Sequence, residues 1–409
     1  MEVVLECAFW LAAAVLVYAY AGFPALVAAV GLLRRDGAVD KRPVTPKLTL
    51  IIAAYNEQDT IAERVENALA ADYPANALEI IVASDGSTDA TEAIVGRYVS
   101  ERVRLLRLPR VGKVAALEQA VRRARGEILV FSDADTIFGL GTLRALAANF
   151  ADPRVGGVAG HPVYRAVARE GESSGNGERL YRRYDTWLKE LESRSGSIVS
   201  ALGSLYAIRR EHWQRPADAS MTDDFTISTT VIAHGKRLVF ERDAHAWETA
   251  APAAAREFRR RVRLMTRGWR AVAHRRALLN PFRFGFYAVV LFSHKVLRRL
   301  TPVALLALLL ASVVLALSVD TRGTGRVDAG GLLAEGAVYP MAALGLTLFL
   351  VLSVLGGVLR RHPIGQWKLF YVPFFYTLAN VAALVALLKF LRGDRIERWE
   401  PQRHTVATR

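Results

Sequence analysis

Hydrophobic positions follow two regimes along this chain. At both ends they run together almost without charge, while in the middle they come as short blocks separated by amphipathic stretches. Residues from about Phe9 to Leu33 form a nearly uncharged run long enough to cross a bilayer. Pro24 is expected to kink this run or mark where it meets the interface. Runs of about Thr301–Val319 and Ala337–Leu359 also reach spanning length; about Phe370–Leu391 is apolar but carries Pro373 and Asn380. The first run begins with Glu2 and Glu6 rather than a basic leader and is too long for a signal peptide, which predicts a retained anchor.

From Lys47 onward the periodicity changes. Leu48–Ala53 reads as a strand, and Asp59–Ala71 as a helix with Ile61, Val65, Ala68 and Leu69 on one face. Ala77–Ala83, Val103–Leu108 and Ile128–Ser132 read as further strands, with helices over about Asp89–Val99 and Lys113–Arg125 between them. This alternation predicts an α/β fold, a Rossmann-like and mostly parallel sheet with helices on both faces. In such sheets ligands sit beyond the carboxyl ends of the strands.

Charge orients the whole. The net charge is +15. Arg34, Arg35, Lys41 and Arg42 follow the first run, Lys295, Arg298 and Arg299 precede the second, and Arg360, Arg361 and His362 follow the third. Positive flanks stay cytoplasmic, which places the middle segment inside, at the cell membrane, against anionic lipid head groups. Four full crossings from an outside start would leave Arg392-Gly393-Asp394-Arg395 outside, against that rule. Either the fourth run is re-entrant or interfacial, or Phe284–Leu300 crosses. Nucleic acid is not expected as a partner, since no basic–aromatic recognition motif accompanies the charge. Cys7 is the only cysteine, which excludes an internal disulfide and a cysteine zinc cluster.

The unusual polar motifs fall at strand exits. Tyr55-Asn56-Glu57 follows the first strand, Asp85-Gly86-Ser87-Thr88-Asp89 the second, and Asp133-Ala134-Asp135 a later one. Residues two apart on a strand share a face, so Asp133 and Asp135 can address one divalent cation, Mg²⁺ or Mn²⁺, bridging a diphosphate. Taken singly, each motif also reads as a helix cap or turn. Further on come Gly203-Ser204, the acidic Met221-Thr222-Asp223-Asp224, and the basic stretch Arg259–Trp269.

Together these motifs resemble family 2 glycosyltransferases of GT-A fold, in particular the membrane-integrated group that includes cellulose, hyaluronan and poly-N-acetylglucosamine synthases. Tyr55-Asn56-Glu57, Asp85–Asp89, Gly112-Lys113-x-x-Ala116-Leu117 and Asp133-Ala134-Asp135 look like that family's donor motifs, and Thr222-Asp223-Asp224 like its Thr-Glu-Asp. The resemblance covers roughly Pro46–Asn280. It implies that Tyr55 and Asp85 contact base and ribose with Glu57 nearby, that Asp133 sits at the nucleotide, and that Asp135 holds the metal. Lys113, at a helix start, would assist with phosphate or sugar. Asp224 would be the base with Asp223 beside it, and Gly203 and Ser204 would line the acceptor pocket.

Related synthases carry Gln-x-x-Arg-Trp where this chain has Arg260-x-x-Arg263-Leu264. The resemblance makes Arg263 the first choice and Arg267 the second for a diphosphate clamp. The same helix also reads as an interfacial one against lipid phosphates. Residues 170–178, rich in Gly and Ser, predict a mobile loop over the site. The expected organisation is an anchor over 1–35, a GT-A domain over 46–280, an interfacial amphipathic helix over 281–300, membrane segments over 301–392 and a basic tail over 393–409. The expected activity is inverting, metal-dependent transfer from a nucleotide-diphosphate sugar, UDP-hexose or UDP-N-acetylhexosamine favoured, to a lipid-linked or growing glycan. Two alternatives stand beside it: single transfer to a lipid such as a polyprenyl phosphate or diacylglycerol, and a catalytically silent membrane scaffold.

Overall fold

The computed structural model describes residues 1–34, 37–165, 174–249, 254–321 and 337–396. Eight strands, β1 (Leu48–Ala54), β2 (Leu78–Asp85), β3 (Val103–Leu108), β4 (Ile128–Asp133), β5 (Ile137–Phe138), β6 (Val155–Arg165), β7 (Tyr206–Arg209) and β8 (Arg237–Thr249), form one sheet. Their spatial order is β3-β2-β1-β4-β7-β6-β8-β5. The β1–β2, β1–β4, β2–β3 and β6–β8 pairs are parallel, whereas β7 runs against both β4 and β6, and β5 against β8. The expected βα alternation holds through β4. Beyond it, short antiparallel strands let the chain turn back across the site.

Strand alternation divides the core into two layers. Leu48, Leu50, Ile52, Ile80, Val82, Ile128 and Val130 face Ile61, Val65 and Ala68 of the helix Ile61–Leu69. Ile51, Ala53, Ile81, Ala83, Leu129 and Phe131 face Ala116, Leu117, Ala120 and Val121 of the helix Lys113–Arg123. The second layer also contains Phe23 and Val27 from the amino-terminal helix and Tyr287 and Val290 from a later one. The sheet and the apolar terminal helices therefore share one core.

Four helical rods are long and apolar enough to cross a membrane: Glu2–Leu33, Phe286–Ser318, Val338–Val358 and Lys368–Leu391. The first is interrupted at Tyr18–Gly22 by a widened π turn just before Phe23-Pro24, the local adjustment expected where proline cannot donate its N–H. A second π turn at Phe292–Leu297 joins Phe286–Leu291 to Arg298–Thr321, so the rod runs on through residue 300 without a break. The two rods are tied side by side by Tyr18 Oη and Ser293 Oγ at 2.9 Å. The buried Glu192 carboxylate meets His294 Nδ1 at 2.5 Å and fixes the second rod to the helix Ser174–Ser195. Of the loop expected over 170–178, residues 170–173 lie outside the described residues and 174–178 begin that helix instead. Of the basic tail, residues 397–409 also lie outside.

The fourth rod packs on the third at its start and on the helix Ala254–His274 at its far end. Its start packs with the end of the helix Val338–Val358, where Gly356 lies against the Phe370 carbonyl. Midway, Thr301 Oγ1 donates to Asn380 Oδ1 at 3.2 Å. At its far end Phe390 stacks on Trp269 with ring centroids 5.8 Å apart, and Arg270 donates to the Gly393 and Asp394 carbonyls at 3.4 Å.

Candidate active site

Two loops leave the carboxyl ends of β1 and β2 and zip together. Asn56, held at φ +55°, accepts from Thr88 N at 2.7 Å, and its own N–H donates to Ser87 Oγ at 3.2 Å. Glu57 N–H donates to Thr91 Oγ1 at 2.8 Å, and Gln58 N–H to Asp89 at 3.2 Å. Asp85, fully buried, accepts from Val111 N–H at 2.7 Å and Gly112 N–H at 2.8 Å and pairs with the Arg110 guanidinium. It thereby holds the 110–112 turn, which sets the start of the helix carrying Lys113. Gly86 is required here: at φ +68° an added Cβ would come within 2.7 Å of Arg110 N.

Arg110 lies flat on Tyr55, its Cζ 3.4 Å from the ring centroid. The resemblance implied that Tyr55 and Asp85 contact base and ribose. In this structure Asp85 turns inward, with both oxygens engaged, and Arg110 covers Tyr55. Arg110 was missed because a lone arginine in a loop carries no pattern of its own.

A cluster of carboxylates gathers at the end of β4. Burial, then the charges of Asp133 and Glu248, push Asp135 up to about 6. Burial, then Asp135, push Glu57 up to about 7, against the hydroxyl of Thr60, which donates to it at 3.1 Å. Glu248 arrives because β5, directly after Asp135, pairs with β8 in the register Ile137↔Trp247. Underneath lies Arg64, fully buried, its Nη1 donating to Asn67 at 3.2 Å and its Cζ 4.1 Å from the Phe138 ring centroid. Burial lowers its basicity to about 9, with the Asp135 charge opposing that shift. Glu248 and Arg64 were invisible to local motif reading; only strand pairing and helix packing bring them in.

Lys113 joins this cluster to a second one. Its Nζ lies 2.8 Å from Asp133 Oδ1 and 3.2 Å from Asp223 Oδ2. Burial pushes Asp223 up, but Lys113 and Arg267 outweigh it and leave the carboxyl below its ordinary range. Asp224, next in the chain, moves the other way: burial and the Asp223 charge push it up to about 6. Both residues open the helix Asp223–Ser228, where first-turn carboxylates meet the positive end of the backbone dipole. Two neighbouring acids are thus pulled apart, one kept ionised and one poised to exchange a proton near neutrality.

Gly203 lies beside the same cluster, at a position where a Cβ would stand 3.4 Å from Asp133 Oδ2, and Ser204 next to it is buried. Arg267, on the helix Ala254–His274, donates to the Met221 carbonyl at 2.6 and 3.1 Å and to Ala219 at 3.1 Å. It therefore braces the loop ahead of Asp223. Arg263 stands one turn earlier on the same helix, half-buried.

Among the described residues no three His, Cys, Asp or Glu side chains are grouped to hold a metal by themselves. The hard oxygen donors of Asp133 and Asp135 do fit a divalent cation that takes its remaining ligands from a diphosphate and water.

Residues 49–212 match the family described as glycosyl transferase family 2. An N-acetylglucosaminyltransferase of Azorhizobium caulinodans is 33% identical over 181 residues, 42% of this chain and 44% of that protein. A poly-beta-1,6-N-acetyl-D-glucosamine synthase of Staphylococcus aureus is 27% identical over 229 residues, 53% of each. The chain spans about half the length of the curated relatives it matches. Among solved structures, the mannosyltransferase PcManGT of Pyrobaculum calidifontis, in complex with GDP-Man and Mn²⁺, superposes with a TM-score of 0.67 at 25% identity, over 96% of this chain and 100% of that one. Residues 49–212 are a glycosyl transferase family 2 domain, built on the GT-A fold and joined to helices long and apolar enough to cross a membrane.

Proposed function

We propose that this glycosyltransferase moves a sugar, with inversion, from a nucleotide-diphosphate sugar to a membrane-linked or growing glycan acceptor at the cytoplasmic face of the cell membrane. The observation that carries this is Lys113, whose one ammonium touches Asp133 of the donor motif and Asp223 of the acidic pair 90 residues later (223 − 133). The two halves of a transfer reaction meet at a single side chain.

In this reading Asp224 accepts the proton of the attacking hydroxyl while the new bond forms to the anomeric carbon and the bond to the diphosphate oxygen breaks. Its raised basicity suits that role, and Asp223, kept charged, holds Lys113 in place. Lys113 and Arg263 face the diphosphate, and Gly203 leaves room for the acceptor beside Asp133. A divalent cation held by Asp135 and Asp133 would neutralise charge on the departing nucleoside diphosphate. Arg110 occupies the stacking place on Tyr55, so donor binding displaces it. The names of the relatives favour UDP-N-acetylglucosamine. A GDP-mannose donor is the second reading, favoured by the full-length superposition on PcManGT.

Contacts of the far end of the helix Lys368–Leu391 with Trp269 and Arg270 support three crossings and a basic tail inside. The purified protein, given Mn²⁺ and separately UDP-N-acetylglucosamine, UDP-glucose and GDP-mannose with membrane lipid extract, tests the function. Nucleoside diphosphate release matched by a glycosylated product from one donor supports it; no release from any donor sinks it.

A further inference from the structure

At the opposite end of the sheet from Asp133 lies a cavity of about 290 Å³. Its position follows from topology: β6 and β8 run in the same sense as β4, and Val155↔Arg237 marks their amino ends. Arg34, Lys236, Arg237 and Arg283 line it together with Phe284 and Tyr287. Among the described residues the lining holds these four cations and no carboxylate. Three of them are braced by backbone: Arg34 donates to the Ser195 carbonyl at 2.7 Å, Lys236 to the Pro153 carbonyl at 3.0 Å, and Arg237 to the carbonyls of Gly196, Gly37 and Ser193 at 2.7–2.9 Å. Burial, then repulsion from Arg154 with a contribution from Arg34, lowers the basicity of Arg237 against the opposing charge of Asp152.

The cavity opens beside an apolar surface. Leu32 and Leu33, which immediately precede Arg34, are 87% and 82% exposed, and Phe282, next to Arg283, is 99% exposed. The outward face of the helix Phe23–Leu33 continues this surface through Ala25, Leu26 and Ala29. Soluble surfaces rarely carry such a stripe. Guanidinium groups bind phosphate through paired N–H donors, and basic pockets beside membrane helices take anionic head groups.

We propose that this cavity binds the phosphate of an anionic membrane lipid, with the acyl chains lying along the exposed apolar face of the helix Phe23–Leu33. The site is separate from the donor pocket and makes the lipid a part of the domain–membrane joint. Bound lipid neutralises four like charges and ties the first rod, the sheet and the loop before Phe286 together.

The test uses the full chain in neutral detergent and follows thermal unfolding with added phosphatidylglycerol, phosphatidylcholine or inorganic phosphate. Phosphatidylglycerol is expected to raise the midpoint by about 3 °C or more at saturation. The Lys236→Gln/Arg283→Gln variant is expected to lose most of that shift, and Arg283→Gln alone, at an exposed side chain, about half. An Arg392→Gln/Arg395→Gln variant, with as many charges removed elsewhere, is expected to keep it. An equal shift from phosphatidylcholine, an unchanged shift in the cavity variants, an equal loss in the tail variant, or the full shift from inorganic phosphate alone overturns the proposal.

Discussion

Replacing Lys113 by Met tests whether one ammonium couples the two acidic clusters. At an effective dielectric of about 20, its contacts at 2.8 and 3.2 Å correspond to about 6 and about 5 kcal/mol of gross attraction. Neither figure is a net contribution. More than a third of the Asp133 side chain is in solvent, so that contact is heavily screened, whereas Asp223 is 15% exposed. Removing one partner of such a pair leaves about 3 kcal/mol of uncompensated charge, mostly at Asp223. In a domain of this size that lowers the unfolding midpoint by roughly 6–12 °C.

The pH dependence identifies the cause. In the wild type the folded Asp223 carboxyl is depressed, so its stabilisation is present above the unfolded value of about 4 and is lost only as pH falls through the lower folded value. Without Lys113, of the two cations only Arg267 still opposes the burial, so Asp223 rises, and the penalty is relieved as pH falls and the carboxyl takes a proton. The gap in midpoint between wild type and Lys113→Met should therefore narrow from pH 8 to pH 5. Nucleoside diphosphate release should fall about 10²–10³-fold in kcat/KM, the range seen when one preorganised donor to a developing anion is lost. Lys113→Arg should restore most of the midpoint. A gap that stays constant with pH, or wild-type turnover in Lys113→Met, refutes the coupling.

Other outcomes follow from the same geometry. As the proposed base, Asp224 acts unprotonated and is raised to about 6, so kcat/KM should climb with pH through about 6 and level off above it, and Asp224→Asn should lose about 10²–10⁴-fold in kcat at every pH. Asp135→Asn should abolish the response of turnover to added Mn²⁺ while the protein still unfolds at its usual temperature; persistent Mn²⁺ activation would remove Asp135 from the cation site. Gly86→Ala, forced against Arg110 N at 2.7 Å and at φ +68°, should cost about 1–3 kcal/mol in denaturation and raise KM for the donor. A reporter enzyme fused after residue 409 should register the cytoplasmic side, and a periplasmic signal would require the fourth rod to cross.

Much of the fold around the candidate site was legible because its parts are local. Tyr55 follows β1, Asp85 and Asp133 close β2 and β4, each after an unmistakable apolar run, and β3 spans the predicted Val103–Leu108. The residues that sequence reading passed over arrive by long-range packing. Glu248 reaches Asp135 only through the β5–β8 register, Arg64 through the helix under β5, and Arg110 through the turn that Asp85 ties down. The inward turn of Asp85 was equally hidden, since a motif names a carboxylate but not the N–H groups it faces. The path of the fourth apolar run was undecidable from composition. A 24-residue helix is long enough to span, and only Phe390 on Trp269 and Asp394 near Arg270 show where its end returns.

Phe23 and Val27 belong to the same buried layer as Ile51, Ile81 and Phe131. No cut between the first rod and the sheet would therefore leave two intact pieces. A truncated product starting at residue 46 would open a greasy seam along the underside of its own sheet and would aggregate rather than dissolve. For this chain, separating the apolar rods and preserving the core of the sheet are one and the same problem.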